Sequence, residues 1–220
     1  FLEPLSDSLY IMNEEVQHPY QNNVMHLTNF LTRYNMKAPY RIMLMAHWDT
    51  REFADSDPDP KNHKLPVIGA NDGASGVAIL LTLAEILHTL PLLNIGIDLL
   101  FVDGEDQGRS GDSKSFGLGT QEFSKHIPNP RPQFAICLDM VADYEQHFPI
   151  EHFSLKYAPE VVQAIWTLAN NLGYTQFENR MGHAVMDDHY YLYNYAKIPA
   201  IDIIDFDYPN SEINYWHTLQ

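Results

Sequence analysis

The fold of this chain is decided by the stretch IGIDLLFVDGED, residues 95–106. Its first eight residues are mostly apolar, and an apolar run of this length is typical of a buried strand. The run leads into a glycine turn and then into two adjacent carboxylates, Glu105 and Asp106. In open α/β sheets, ligands bind beyond the carboxyl ends of the strands. We therefore predict a central strand that carries functional groups at its carboxyl end.

Strands and helices alternate along the rest of the sequence. Apolar runs predict further strands at residues 24–31, 41–45, 133–138 and 200–204, whereas residues 1–23 have only a weak pattern. Helical spacing or helix start signals predict helices at residues 74–90, stopped by Pro91, and at residues 120–126, 159–172 and 187–194. This alternation predicts an α/β three-layer sandwich, with a mixed, mostly parallel sheet flanked by helices.

Composition limits the classes of function. The chain has 220 residues, which suits one domain over residues 1–220, and its 13 Lys and Arg against 29 Asp and Glu give a net charge of -16. A nucleic-acid binder needs a basic face, so this class is excluded, and binding to an anionic membrane surface is disfavoured. No apolar run approaches the roughly 20 residues of a transmembrane segment. The single cysteine, Cys137, lies in an apolar run, where a buried inert thiol is expected.

Acidic and histidine residues recur at or just after the predicted strand ends and turns. Such carboxylates would repel one another unless protons or cations neutralised them. Two histidines in the group favour a borderline metal, most simply zinc. The candidate site residues are His47, Asp72, Glu105, Asp106, Asp139, Asp187 and His217.

The adjacent carboxylates Glu105 and Asp106 carry the sharpest chemical signal. Neighbouring side chains after a strand point to different sides, so one can bind a metal while the other handles protons. The alternative is a solvated acidic loop. Asp139 ends an otherwise apolar strand, where a carboxylate must be paired, hydrogen-bonded or coordinated.

The other candidates each have an ordinary structural explanation. His47 could bond to the backbone at a strand end, although Asp49 is well placed to orient it for a metal. Asp72 precedes a helix and could be a turn residue or an N-cap. Asp187 could be a helix cap as well, and Trp216 could be ordinary core packing. Their order and their placement at strand ends favour a site over these separate explanations.

Six motifs together resemble the M28 zinc-peptidase superfamily. Within it, they are most similar to the glutaminyl cyclase branch, especially the bacterial animal-type glutaminyl-peptide cyclotransferases. The resemblance covers roughly residues 40–218 and is specific as a set. The motifs are His47-Trp48-Asp49, Gly69-Ala70-Asn71-Asp72-Gly73-Ala74-Ser75-Gly76, Gly104-Glu105-Asp106, Leu138-Asp139-Met140, Asp187-Asp188-His189 and Trp216-His217-Thr218.

The resemblance implies a function and a role for each candidate. Glutaminyl cyclases bind one catalytic Zn²⁺ and convert the N-terminal Gln of peptides or proteins to pyroglutamate with release of ammonia. By resemblance, Glu105 would be the general base and acid, hydrogen-bonded with Asp139 and Asp187, and Trp216 would wall the substrate pocket. His47 would be a remnant of a second metal site. The zinc ligands would be Asp72, Asp106 and His217. A secreted or periplasmic location is also implied.

Two alternatives stay open. A two-zinc aminopeptidase of the same superfamily would bind one metal through His47, Asp72 and Asp139, and the second through Asp72, Asp106 and His217. The second alternative is an inactive binding module on the same fold.

Particular residues favour the cyclase. Aminopeptidases typically have Ser-Asp-His where this chain has Asp187-Asp188-His189, and they usually lack Trp before the last histidine. The loop from Arg51 to Gly69 is also similar to that of the bacterial cyclases. There are departures from the animal enzymes, which have Glu in place of Asp106 and a second pocket tryptophan that has no clear equivalent here. The chain starts at Phe1 and stops at Gln220 without the usual terminal helix, so we expect either a shortened chain or a minimal enzyme.

Overall fold

The computed structural model describes residues 1–90, 94–207 and 213–220. A short 3₁₀ helix, Glu3–Leu5, precedes the first strand. The eight strands in the described part of the chain are β1 (Ser8–Gln17), β2 (Val24–Tyr34), β3 (Arg41–His47), β4 (Gly96–Val102), β5 (Phe134–Asp139), β6 (Phe148–Ile150), β7 (Phe177–Met181) and β8 (Ala200–Ile204). The α-helices of the same ranges are α1 (Ala74–Thr89), α2 (Leu118–Phe123), α3 (His152–Tyr157), α4 (Pro159–Asn171) and α5 (Asp188–Ala196).

Six of these strands form the central sheet in the order β1-β2-β4-β3-β5-β8. Strands β4, β3, β5 and β8 are parallel, whereas β2 runs antiparallel to both β1 and β4. His47 pairs with Val102, and Asp139 pairs with Ile204, so the parallel strands end together. The functional groups that follow these strands therefore emerge at one edge of the sheet, as the sequence predicts.

Each face of the sheet is covered by helices. Leu99 and Phe101 point to one face and pack in a cluster with buried residues of α1 and α4. Leu100 and Val102 point to the other face and pack in a second cluster with buried residues of α2 and α5. Because side chains alternate along a strand, β4, in which every residue is buried, must be covered on both sides. The predicted three-layer α/β sandwich with a mostly parallel sheet is confirmed.

Several elements differ from the sequence prediction. Strand β1 lies within residues 1–23, where no element was expected, because it is an edge strand whose side chains alternate between partly buried and exposed. The short elements β6, α3 and β7 were also not predicted. Helix α2 begins at Leu118, helix α1 ends at Thr89, and α5 extends to Ala196. The predicted stop at Pro91 lies outside the described residues.

The edge of the sheet away from the carboxyl strand ends is held by a buried ion cluster. Asp98 receives hydrogen bonds from Arg33 Nε at 3.0 Å and from Arg41 Nη2 at 2.7 Å. All three side chains are at most 2% exposed. Arg33 Nη2 and Arg41 Nε also donate to Asp98, and further guanidinium donors bond to backbone carbonyls, so the buried charges are satisfied. This cluster explains the single acidic residue inside the apolar strand β4.

Glu151 connects α3 to the segment that leads into α5. As the N-cap of α3, its carboxylate accepts from the backbone N–H of Phe153 at 2.9 Å and of Ser154 at 2.6 Å. It also accepts from the Val185 N–H at 3.0 Å, and His189 Nε2 lies 3.0 Å away. Burial raises the pKa of Glu151, but His189 and these backbone bonds outweigh it and lower the pKa to about 2.

No helix in the described ranges has the length and apolar character needed to cross a membrane.

We predict that Glu151→Gln lowers the free energy of unfolding by about 1.5–3 kcal/mol at neutral pH, because it removes charged hydrogen bonds from a buried site. The folded-state pKa of Glu151 lies below its ordinary value of 4.5. The stabilisation is therefore fully present above about pH 4.5 and is lost as the pH falls towards 2. Urea unfolding of both proteins across this range should show the difference shrink. The exposed Glu85→Gln is the control, and a difference that stays constant with pH would contradict the prediction.

Candidate active site

The site lies at the carboxyl ends of three neighbouring parallel strands. Strand β3 ends with His47, strand β4 leads through a turn to Glu105 and Asp106, and strand β5 ends with Asp139. Because β3 lies between β4 and β5, these side chains meet without any unusual chain path. The segments before α1 and after β8 then contribute Asp72 and His217.

Asp72 is the centre of the arrangement. Its Oδ1 lies 3.3 Å from His47 Nε2, and its Oδ2 lies 3.4 Å from His217 Nε2. His47 Nε2 is also 3.1 Å from Asp139 Oδ1, and His217 Nε2 is 3.2 Å from Asp106 Oδ2. Two groups of possible metal ligands therefore share one carboxylate. The first group consists of His47, Asp72 and Asp139. The second group consists of Asp72, Asp106 and His217.

The turn before α1 places Asp72 for this role. Gly73 is the N-cap of the helix with φ 93°, and no side chain caps the helix end. A Cβ atom on Gly73 would lie 2.5 Å from the Asp49 carbonyl oxygen and 3.1 Å from His47 Cε1. Only glycine permits this close approach of the turn to His47. The interpretation of Asp72 as an ordinary N-cap is therefore wrong.

Both groups have the atoms and spacings that a zinc ion requires. Zn–N and Zn–O bonds of about 2.0–2.1 Å in a tetrahedron place neighbouring ligand atoms about 3.3–3.4 Å apart. The distances from His217 Nε2 to Asp106 Oδ2 and Asp72 Oδ2 are 3.2 and 3.4 Å. Asp106 Oδ2 is buried and accepts no hydrogen bond from the residues that the structure describes. A buried carboxylate oxygen without a donor is best explained by a bound cation.

The pKa values of the site show how strongly it favours positive charge. Burial lowers the pKa of His217, but the carboxylates of Asp106 and Asp72 outweigh it and raise the pKa to about 9. Burial raises the pKa of Asp139 to about 7, although its hydrogen bond with His47 opposes this. Without a metal, protons take the place of the cation between these side chains. Metal binding must therefore release protons.

Glu105 and Asp187 line the cavity beside the metal-binding groups. The cavity has a volume of about 500 Å³ and is also lined by Asp72, Asp106, Asp139 and His217. Burial, followed by the charge of Asp187, raises the pKa of Glu105 well above its ordinary value. Glu105 is 9% exposed, so its carboxyl group is largely shielded from water yet reaches the cavity. A buried carboxyl with a raised pKa at a cavity wall is suited to proton transfer.

Aromatic side chains line part of the same cavity. Trp216 stacks on His217, with ring centroids 3.9 Å apart and an angle of 25° between the planes. Phe206 contacts Trp216 edge-on at 5.6 Å, and both rings line the cavity. Trp216 is therefore part of the site rather than of the core.

The carboxylates are connected differently from the expected network. Within the described residues, Asp139 is hydrogen-bonded to His47. Asp187 accepts a hydrogen bond from the Cys137 thiol at 3.1 Å and another from the Asp188 backbone N–H. Neither bonds directly to Glu105, which Asp187 affects through its charge. Asp187 is also the N-cap of α5, so the helix-cap interpretation holds in addition to its place in the cavity. Cys137 is buried, as expected.

The buried arginine of the site, Arg51, was not predicted from the sequence. Arg51 lies in the long polar loop after β3 and bonds to the carboxylates of Asp55 and Asp106. A loop without periodicity gives no sign of which charged residue turns inward. Long loops without regular structure are uncommon unless they have a function, so the length of this loop was the only sequence feature that pointed to a functional residue in it.

Comparison with known proteins agrees with this geometry. The family model described as "Peptidase family M28" matches residues 29–220. The chain belongs to peptidase family M28. This confirms the predicted family.

Solved structures of similar proteins carry two kinds of name. A glutaminyl cyclase from Porphyromonas gingivalis is 36% identical, with a TM-score of 0.92 over 99% of this chain and 77% of that chain. A Zn-dependent exopeptidase from Parabacteroides distasonis is also 36% identical, with a TM-score of 0.90 and the same coverage. The likeness to bacterial glutaminyl cyclases is thus confirmed. Solved structures that are equally similar to this chain also include proteins named as exopeptidases.

A curated relative covers a smaller part of the chain. The alkaline phosphatase isozyme conversion protein of Escherichia coli K12 is 38% identical over 76 residues. The match spans 34% of this chain and 22% of that protein.

We predict that Asp72→Asn weakens zinc binding by more than about 100-fold, because Asp72 belongs to both groups. Asp139→Asn removes a member of one group only, so it should retain one zinc per chain. Zinc content after dialysis and competition with a chelator of known affinity measure both effects. The exposed Asp59→Asn is the control. If Asp72→Asn bound zinc as tightly as the unaltered protein, the shared-carboxylate arrangement would be refuted.

Proposed function

We propose that this chain is a zinc-dependent glutaminyl-peptide cyclotransferase that converts the N-terminal Gln of peptides or proteins to pyroglutamate and ammonia. The observation that carries the proposal is the pairing of a buried proton-transfer group with an apolar wall in one cavity. Glu105 and Trp216 both line this cavity, and Trp216 stacks on His217. Cyclisation needs both, because a proton must move while water, the competing nucleophile, is kept out.

The zinc site of the proposed enzyme consists of Asp72, Asp106 and His217. When bound there, zinc would act as a Lewis acid on the γ-amide carbonyl of the substrate. Asp72, Asp106 and His217 all line the cavity, whereas His47 is not among its lining residues in the described part of the chain. A substrate carbonyl can therefore approach this group more readily than the group that contains His47.

Glu105 transfers the proton in the proposed reaction. It accepts a proton from the attacking α-amine as the bond from that nitrogen to the γ-amide carbon forms. It then returns the proton to the amide nitrogen as the bond from that carbon breaks, so ammonia leaves and the carboxylate is regenerated. The nearby Asp187 carboxylate stabilises the ammonium-like leaving group. Because the attack is intramolecular, the shape of the cavity supplies much of the rate by holding the reacting atoms together.

The wider setting is part of the same proposal. Residues 1–220 form one zinc-dependent catalytic domain that acts on peptides or proteins with an N-terminal Gln. As the family resemblance implies, the protein works in a secreted or periplasmic location.

One observation favours a second candidate, a two-zinc aminopeptidase. Asp72 offers one oxygen to each histidine, at 3.3 and 3.4 Å, which is the arrangement of a carboxylate that bridges two metals. His47 and Asp139 complete the additional group. This enzyme would hydrolyse the first peptide bond rather than close a ring.

The products separate the two candidates. Purified, zinc-loaded protein is incubated with a peptide that begins with Gln and, separately, with one that begins with Leu, and each mass is followed. The cyclase releases one ammonia from the first peptide and leaves the second unchanged. Removal of a whole residue from either peptide would support the aminopeptidase. No change in either would favour an inactive binding module.

We predict that Glu105→Gln lowers kcat for pyroglutamate formation by about 10²- to 10⁴-fold, because the amide cannot accept the amine proton. The zinc content should be unchanged, because Glu105 belongs to neither metal-binding group. Ammonia release and zinc analysis measure the two quantities, with the exposed Glu145→Gln as the control. Near-normal turnover in Glu105→Gln would remove this residue from the proposed role.

We also predict that Trp216→Ala changes the product ratio. Loss of the indole opens the cavity wall to water, so part of the substrate should be hydrolysed to an N-terminal Glu instead of cyclised. Trp216→Phe keeps an aromatic wall and should give mainly pyroglutamate. Mass spectrometry distinguishes the two products. A ratio that is the same in both variants and the unaltered protein would show that Trp216 does not exclude water.

A further inference from the structure

The buried arginine of the site is bound to two carboxylates at once. Arg51, 7% exposed, donates from Nε and Nη2 to the two oxygens of Asp55, at 3.1 and 2.5 Å. Its Nη1 lies 3.3 Å from Asp106 Oδ1 and donates to the backbone carbonyls of Asp106 at 2.9 Å and Gly108 at 2.6 Å. All three guanidinium nitrogens are engaged, so the side chain is held in one orientation.

Each carboxylate faces the ring of His217 from a different side. Asp55 Oδ1 lies 3.6 Å from Nδ1 of that ring, and Asp106 Oδ2 lies 3.2 Å from Nε2. Arg51 occupies the other oxygen of Asp106 and leaves Oδ2, which is buried and accepts no hydrogen bond within residues 1–90, 94–207 and 213–220. The guanidinium therefore determines which atom of Asp106 is available to a cation.

We propose that Arg51 and Asp55 form a positioning pair for the metal-binding group of Asp72, Asp106 and His217. The Asp55 carboxylate faces Nδ1 of His217 at 3.6 Å while Nε2 faces the metal-binding group, and Arg51 fixes both Asp55 and the free oxygen of Asp106. A metal-bound histidine usually has such an acceptor on its second nitrogen, and its loss typically costs about 10- to 100-fold in metal affinity. The proposal rests on the zinc site of the proposed function but not on the reaction.

The pair makes the two metal-binding groups unequal. In the described part of the chain, no lysine or arginine forms an ion pair with Asp72 or Asp139. The group with Asp106 is thus the one held by a rigid guanidinium fork. A preorganised ligand set loses less conformational freedom on binding, so this group should take the first zinc ion.

A charge effect alone makes the opposite prediction. A positive charge beside Asp106 repels a cation, so if Arg51 acted only through charge, removing it would tighten zinc binding. Lysine would then replace it without loss. In the positioning account, lysine fails because it lacks the planar fork that binds both carboxylates.

The experiment compares the zinc affinity of Arg51→Lys, Arg51→Met and Asp55→Asn with that of the unaltered protein by chelator competition. Glu52→Gln in the same loop and the exposed Arg109→Lys are matched controls. We expect about 10- to 100-fold weaker zinc binding in all three variants and unchanged zinc binding in the controls. The visible spectrum of bound Co²⁺ should also change, because it reports the ligand geometry.

Two outcomes would overturn the proposal. The first is unchanged zinc affinity together with an unchanged Co²⁺ spectrum in both Arg51→Lys and Asp55→Asn. The second is tighter zinc binding in Arg51→Met. Circular dichroism of the metal-free proteins checks that each variant folds. If the arginine variants unfold, Asp55→Asn provides the test, because the Asp55 side chain is 43% exposed. Because the measurement is binding, it holds even if the protein proves not to cyclise Gln.

Discussion

The structure depends on the neutralisation of carboxylates that are gathered at one edge of the sheet. Asp72, Glu105, Asp106, Asp139 and Asp187 all line one cavity. Burying so many like charges is unfavourable unless each is protonated, paired or bound to a cation. Asp72 resolves most of the conflict by offering one oxygen to each of the two histidines. Burial and the charge of Asp187 raise the pKa of Glu105 well above its ordinary value.

The fold separates the residues that stabilise from those that react. The amino edge of β3 and β4 holds the buried Asp98 with its two arginines, and their guanidinium groups are satisfied by carbonyls. The carboxyl edge of the same strands holds groups whose atoms lack partners, such as Asp106 Oδ2. Unsatisfied buried atoms are costly, so they persist where a ligand or reaction uses them. The sheet between these edges provides the rigid support that a metal site requires.

The sequence was most informative where a strand and its polar end are contiguous. The apolar run of β4 followed by Glu105 and Asp106 predicted both the strand and the site edge, and the resemblance supplied Asp72 and His217 across long separations. Local patterns contain no information on which oxygen of Asp72 faces which histidine, because that depends on the packing of three distant segments. Arg51 was missed for the same reason. Strand β1 was missed because half of an edge strand is exposed, so its alternation is weak.

The central claim is that one zinc ion is held by Asp72, Asp106 and His217 and serves a single catalytic centre. The most direct test is anomalous diffraction at the zinc edge from crystals of the zinc-loaded protein. The account predicts one strong peak, bonded to Asp106 Oδ2, Asp72 Oδ2 and His217 Nε2. Two peaks of equal height about 3.5–4 Å apart on either side of Asp72, or no peak at this group, would contradict it.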